Sequence, residues 1–330
     1  MKILVIGDPG RYERYDTPNE VKTRAETVFC PRGSSDEELL AAGQDAEVIF
    51  ADAISPVSRR LIEGMPRLRL IQSEGVAFDR IDTEAAGARG IYVCNNKGCN
   101  AGAVAEQAIL LMLGLLRTAV EGHQAVLDGG QIQMKERRMT EGIQELSECR
   151  VGLIGFGDIA KATAERLAPF GCTCVYYSRH RKSPETEAQY GVSYLPLQEL
   201  LAQCDIVSLH AAVNEETRGM VDAAFLSAMK PTAYLINTAR GDLVDNPALR
   251  AALLENRIAG YGLDVISPEP VPLNSPLVQL PEPWNRRVFF SPHLGGITAA
   301  TFRRAHALMW ENAGRVEAGE VPRNIVNNVK

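Results

Sequence analysis

The run Arg150-Val-Gly-Leu-Ile-Gly155-Phe-Gly157-Asp158-Ile159-Ala160 constrains this chain more than any other stretch. An apolar, strand-like segment stops at one glycine, a second follows two residues later, and a helical pattern begins at once. Gly155 permits the tight turn, Gly157 removes a Cβ so that a pyrophosphate can approach the backbone, and Ala160 is small enough for close helix–strand packing. The start of a helix adds free N–H groups and the positive end of its dipole. In this context the spacing predicts a dinucleotide-binding βαβ unit, with Gly155, Gly157, Asp158 and Ile159 at the pyrophosphate. The Asp158 carboxylate is expected to turn outward, toward the helix dipole.

The end of the next strand bears on which dinucleotide is bound. An NAD site usually carries an acid about 20 residues past the glycines, for the ribose hydroxyls. Here Val175-Tyr-Tyr is followed by Ser178-Arg179-His180-Arg181-Lys182, with no acid. Ser178 and Arg179 suit a 2′-phosphate, with His180 beside them and Arg181 or Lys182 adding charge. The expected cofactor is NADP, with NAD as the alternative.

Strand-like and helix-like segments alternate along the whole chain, which argues for an α/β fold with parallel sheets. One set of strands comprises Lys2–Gly7, Val48–Ala51, Leu68–Gln72 and Ile91–Cys94. A second comprises Arg150–Gly155, Thr173–Tyr177, Ile206–Leu209, Ala233–Asn237, Ile258–Asp264 and Val288–Ser291. Helical patterns fall at Ala103–Arg117, Ile159–Phe170, Pro247–Asn256 and Ala299–Gly319. The polar stretch Asp128–Cys149 reads as a connection, and Ser267–Pro283, with six of the 18 prolines, as a loop. With 330 residues the chain is long enough for two domains. The two sets of strands predict two doubly wound parallel-sheet units.

Composition narrows the function. Lys plus Arg total 35 against 41 acids, a net charge of −6, which argues against a nucleic-acid binder. No apolar run approaches the 18 residues of a membrane span. Seven cysteines, an odd number, with no secretory signal recognised ahead of them, fit reduced thiols in a cytoplasm. Cys172-Thr-Cys174 is a single pair whose side chains should point to opposite faces of a strand, so no metal site is expected.

Three further segments carry charged groups from strand ends into loops: Asn237-Thr238-Ala-Arg240-Gly-Asp, Asp264-Val-Ile-Ser-Pro-Glu269-Pro, and Ser291-Pro-His293-Leu-Gly295-Gly296. In open α/β sheets such ends face the ligand crevice. With these motifs in this order, the sequence resembles the D-isomer-specific 2-hydroxyacid dehydrogenases, the glyoxylate/hydroxypyruvate reductases in particular. The likeness extends to Leu70–Asp79, to Asn95-Asn-Lys-Gly98 with Val104-Ala-Glu106, and to the final helix.

The resemblance implies roles. Arg240 matches the arginine that binds the substrate carboxylate and polarises the carbonyl. His293 matches the acid/base, and Glu269 the carboxylate paired with it; an adjacent negative charge favours the imidazolium. Asp264 matches a residue that orients the nicotinamide carboxamide. Val76 and Ala77 match the loop whose N–H groups hold the substrate carboxylate. His210, Ala211, Ala212, Thr217, Asn237, Thr238, Gly295 and Gly296 match the cofactor wall.

The implied topology is discontinuous. A Rossmann-type cofactor domain, residues 99–292, is inserted into a flavodoxin-like substrate domain, residues 1–98 and 293–330, with the active site in the cleft between them. A homodimer through Ala103–Arg117 is expected, and so is NADPH-dependent reduction of a small 2-oxoacid. The alternatives are an NAD-dependent D-3-phosphoglycerate-type dehydrogenase or a non-enzymatic, dinucleotide-sensing corepressor-like protein. Departures from the family pattern fall at Ala211-Ala212 and Lys97, where proline is common, and at Gln107, where histidine is common. Lys97 either recognises a second acidic group on the substrate or faces solvent.

Overall fold

The computed structural model describes residues 1–15 and 17–329. The chain divides into two compact units, Met1–Asn100 with Ile297–Lys330, and Ala101–Gly296. The expected boundaries lay a few residues earlier, so His293, assigned by sequence to the flanking unit, belongs to the inserted one.

The first unit is built on five parallel strands: β1 (Lys2–Ile6), β2 (Glu26–Cys30), β3 (Val48–Ala51), β4 (Leu70–Ser73) and β5 (Tyr92–Cys94). Their order is β2-β1-β3-β4-β5. β3 and β4 are buried along their full length, as a parallel sheet covered on both faces requires. Alternate residues feed two clusters. Leu4, Ile6, Ile49 and Ile71 pack with Leu61 and Ile62 on one face. Ile3, Val5, Phe50 and Leu70 pack with Met309 and Trp310 of the helix Ala299–Glu317 on the other.

The second unit has seven parallel strands: β6 (Arg150–Ile154), β7 (Thr173–Tyr177), β8 (Val192–Tyr194), β9 (Ile206–Leu209), β10 (Tyr234–Asn237), β11 (Gly260–Leu263) and β12 (Val288–Phe290). Their order is β12-β11-β10-β9-β6-β7-β8. Chain order reverses between β6 and β9, and such a switch point opens a ligand crevice at the carboxyl ends of the strands. The apolar helix Ala101–Leu116 lies close against one face. A Cβ at Gly114 would sit 2.3 Å from Phe289 of β12, so glycine sets that approach.

Local expectations changed in three places. β2 and β8 were not foreseen. The polar connection contains a helix, Gln131–Glu141, anchored where Arg137 and Arg138 both reach the Glu121 carboxylate at 2.5 Å. Cys172 precedes β7, so strand alternation does not govern it, and its thiol donates to Leu167 O at 3.5 Å.

Candidate active site

Gly155 adopts φ 93°, and a Cβ there would lie 2.8 Å from the backbone of His210. Only glycine fits both constraints. A Cβ on Gly157 would meet nothing within 4 Å, which leaves open space above the turn. The helix Asp158–Leu167 begins there with no side-chain cap, whereas Ser35, Ser58, Asp82, Ser183, Asp222, Asp245 and Thr298 cap other helices. Its unmet N–H groups are the donors a pyrophosphate needs. Asp158 is exposed and Ile159 half-buried in the first turn.

Along the crevice, the buried hydroxyl of Thr238 has no partner among the described residues, which suits a polar ligand group. His210 hydrogen-bonds through Nε2 to Ser208 Oγ at 2.9 Å, and burial pushes its pKa down to about 4. Thr217 Oγ1 donates to Ala212 O at 2.7 Å and so shapes the loop after Ala211. Asn237 turns inward: its amide donates to Arg240 O at 2.9 Å and accepts from Ala239 N at 3.0 Å. It builds the turn that presents Arg240. Together these residues fit a bound dinucleotide.

The cationic loop after β7 is partly committed. Arg181 makes two hydrogen bonds to Glu187, at 2.8 and 2.9 Å, so its charge is already matched. Ser178 Oγ donates to His180 O at 2.6 Å, and exposed Arg179 makes a loose 3.4 Å contact with Glu216. Ser178, Arg179 and His180 remain accessible to a ligand.

Arg240, Glu269 and His293 lie on the segments that follow β10, β11 and β12, three adjacent strands. Both Glu269 oxygens accept from His293 Nδ1, at 3.0 and 2.8 Å, with each side chain about half exposed. Arg240 is exposed and has no carboxylate partner among the described residues; its NH1 donates to Ala239 O at 2.7 Å. The following residue, Gly241, presses on the backbone of Ile266–Ser267, the start of the loop that carries Glu269: a Cβ on it would lie 2.2 Å from Ser267 N.

Asp264 has a structural task that the sequence did not reveal. It is buried, and its carboxylate accepts from Leu294 N at 2.9 Å, from Gly295 N at 2.8 Å and from the Ser291 hydroxyl. Its carbonyl also accepts from His293 N at 2.8 Å. These bonds clamp a turn in which His293 adopts φ 56°, a left-handed conformation uncommon outside glycine. A Cβ at Gly295 would strike Asp264 Oδ2 at 2.8 Å. Gln107 completes the chain, donating from Nε2 to Ser291 Oγ at 2.8 Å. Gly296 closes the turn.

In the first unit, the segment after β4 has the polarity of an anion cradle. Asn96 takes Ser73 O, Glu74 O and Gly75 O; Asn95 takes Val76 O at 2.8 Å; Ser73 Oγ takes Ala77 O at 2.7 Å. The N–H groups of Val76 and Ala77 have no acceptor among the described residues. Carbonyls withdrawn and adjacent N–H groups free is the pattern that receives a carboxylate. Lys97, beside Asn96, is exposed.

The folds and the grouping of His293 with Glu269 define a nucleotide-dependent α/β enzyme. The model of the D-isomer specific 2-hydroxyacid dehydrogenase NAD binding domain matches residues 109–295. A glyoxylate reductase of Thermococcus litoralis is 37% identical over 301 residues, covering 90% of this chain and 87% of that one. A glyoxylate reductase of Korarchaeum cryptofilum is 34% identical, covering 89% and 86%. The crystal structure of a glyoxylate reductase from Paecilomyes thermophila superposes with TM-score 0.82 at 30% identity, covering 100% and 99%. The chain belongs to the D-isomer-specific 2-hydroxyacid dehydrogenase family.

Proposed function

We propose that the protein reduces a small 2-oxoacid, glyoxylate or hydroxypyruvate first among them, to its D-2-hydroxyacid, with NADPH preferred to NADH. The observation that carries the chemistry is the 2.8 Å pairing of His293 Nδ1 with Glu269. With Nδ1 held by the carboxylate, the proton to be transferred sits on Nε2, the other ring nitrogen. A reduced dinucleotide, held at Gly155, Gly157 and the start of the helix Asp158–Leu167, would supply a hydride to the carbonyl carbon. His293 gives its Nε2 proton to the carbonyl oxygen, and Glu269 balances the imidazolium before transfer. Arg240 offers a permanently charged fork with no carboxylate partner among the described residues, which suits the substrate carboxylate and draws electron density from the carbonyl. In the first unit, the N–H groups of Val76 and Ala77, without an acceptor among the described residues, suit a substrate carboxylate. The first unit is then the substrate domain and the second the cofactor domain.

Preference for NADPH is supported by the missing acid after β7 and by the accessible Ser178 and Arg179. A homodimer is supported by large apolar side chains exposed on the helices of residues 101–141, among them Leu110, Val126, Leu127, Ile132 and Met139. A cytoplasmic site of action is supported by seven free thiols.

Initial rates on a panel of 2-oxoacids with NADPH and NADH test this function. His293→Ala and Arg240→Ala should each lower kcat/KM by about 100-fold or more while NADPH still binds. An inert wild type that binds the dinucleotide tightly would favour the sensor instead.

A further inference from the structure

The strand ends of the first unit hold a buried ionic network that the proposed reaction does not use. Asp52 and Glu74 are the first residues beyond β3 and β4, and both are almost fully buried. Arg11 NH2 reaches Glu74 Oε2 at 2.5 Å and Asp52 Oδ2 at 2.6 Å. Arg32 reaches Asp52 at 2.5 Å. His306, 1% exposed on the helix Ala299–Glu317, donates from Nε2 to Glu74 Oε1 at 2.8 Å. The Tyr12 ring stacks on this imidazole at 4.5 Å between centroids, which fixes its plane.

Each Glu74 oxygen therefore has its own donor. The backbone of Glu74 is held equally: its N–H donates to Ala51 O at 2.7 Å, and its carbonyl accepts from Asn96 at 2.8 Å. Glu74 is also the residue from which Gly75-Val76-Ala77 departs. A buried carboxylate that loses one donor must turn to find another. His306 is thus one of the two side-chain anchors of Glu74, at the root of that loop.

We propose that His306 is a positioning residue for substrate binding: through Glu74 it sets the free N–H groups of Val76 and Ala77 at the spacing a carboxylate needs. This rests on the proposal that those N–H groups receive the substrate. His306 touches no reacting atom, so its effect falls on capture of the oxoacid.

The test is steady-state kinetics of His306→Ala, His306→Gln and Glu74→Gln with the best 2-oxoacid, alongside the KM for NADPH and melting temperatures. His306→Ala and Glu74→Gln should raise the oxoacid KM about tenfold, the size of one hydrogen bond to a charged group. Both kcat and the KM for NADPH should stay near wild type. His306→Gln places an amide N–H near the position of Nε2 and should restore the oxoacid KM. A folded His306→Ala enzyme with lowered melting temperature and wild-type oxoacid KM would overturn the proposal and leave a structural role only. If that variant does not fold, the nearly isosteric Glu74→Gln decides by the same criterion. A wild type that reduces no 2-oxoacid would instead refute the function assigned to the loop.

Discussion

Asp264→Asn is the sharpest probe of how His293 is held. The carboxylate accepts from two main-chain N–H groups and one hydroxyl, all bound to the turn that carries the imidazole. An asparagine offers one acceptor oxygen, so whichever way it turns, its NH2 faces at least one main-chain donor. Leaving a buried donor unmet costs about 1–3 kcal/mol, and bonds to a charged acceptor lie toward the upper part of such ranges. Holding a non-glycine residue at the φ 56° of His293 costs on the order of 1–3 kcal/mol as well. The clamp and the strain it opposes are thus of one size, and weakening the first releases the second. A loss of about 2 kcal/mol corresponds to a roughly 30-fold fall in kcat/KM. It also lowers the melting temperature by about 4–8 °C for a domain of this size.

The assay is the initial rate of reduced-cofactor oxidation with the best 2-oxoacid, together with thermal unfolding. A variant that melts earlier yet keeps kcat/KM within about threefold of wild type would refute the clamp as the device that places His293. If the KM for the dinucleotide rose while kcat held, Asp264 would be acting on the nicotinamide, as the resemblance implied.

Two further outcomes are expected. Ser178→Asp should move cofactor preference toward NADH, because an acid at the end of β7 can bond ribose hydroxyls and repels a 2′-phosphate; Arg181→Ala should leave preference unchanged, since Glu187 already holds that guanidinium. Both are read from kcat/KM with the two cofactors. The pH dependence of stability should carry the mark of His210, whose pKa burial depresses from 6.5 to about 4. Between those values the unfolded chain binds a proton that the folded chain refuses, so stability is full above pH 6.5 and falls as pH drops toward 4. The slope from this group is about 1.4 kcal/mol per pH unit, and denaturant titrations of wild type and His210→Asn across that window should differ by it.

What could be read in the sequence follows from where the physical signal resides. Central strands such as β3, β6 and β9 announce themselves because burial on both faces demands an apolar run. β2 is an edge strand, Glu-Thr-Val-Phe-Cys, with Glu26 and Phe29 exposed, and β8 has only three residues; neither supplies a clear periodicity. The helix Gln131–Glu141 is not legible in the sequence because its apolar residues Ile132 and Met139 are exposed and its anchor is an ion pair to Glu121. At the site, Gly155, Arg240, Glu269 and His293 were legible through motifs, each a local pattern. The Asp264 clamp and the Gln107–Ser291 bond were not, because their partners lie 27 and 184 positions apart. Glu74 and His306, 232 positions apart, are beyond any local pattern.

The two sheets share one logic yet only one suits a dinucleotide, and side-chain volume and charge explain the difference. In both, strand order reverses beside the first strand, β1 or β6, and opens a crevice there. After β6 come Gly155 and Gly157, open space above the turn, and an uncapped helix of ten residues. After β1 comes Asp8, whose carboxylate already caps the following six-residue helix by accepting from Gly10 N at 2.9 Å. That carboxylate supplies the anion the helix start favours and would repel a phosphate. Arg11, Asp52 and Glu74 fill the adjoining strand ends with a matched ionic network. The cradle that remains in the first unit, at Val76 and Ala77, holds two free N–H groups, enough for one carboxylate and too few for a pyrophosphate. On the function proposed above, two units of like design are thereby specialised, one toward the dinucleotide and the other toward a small acid.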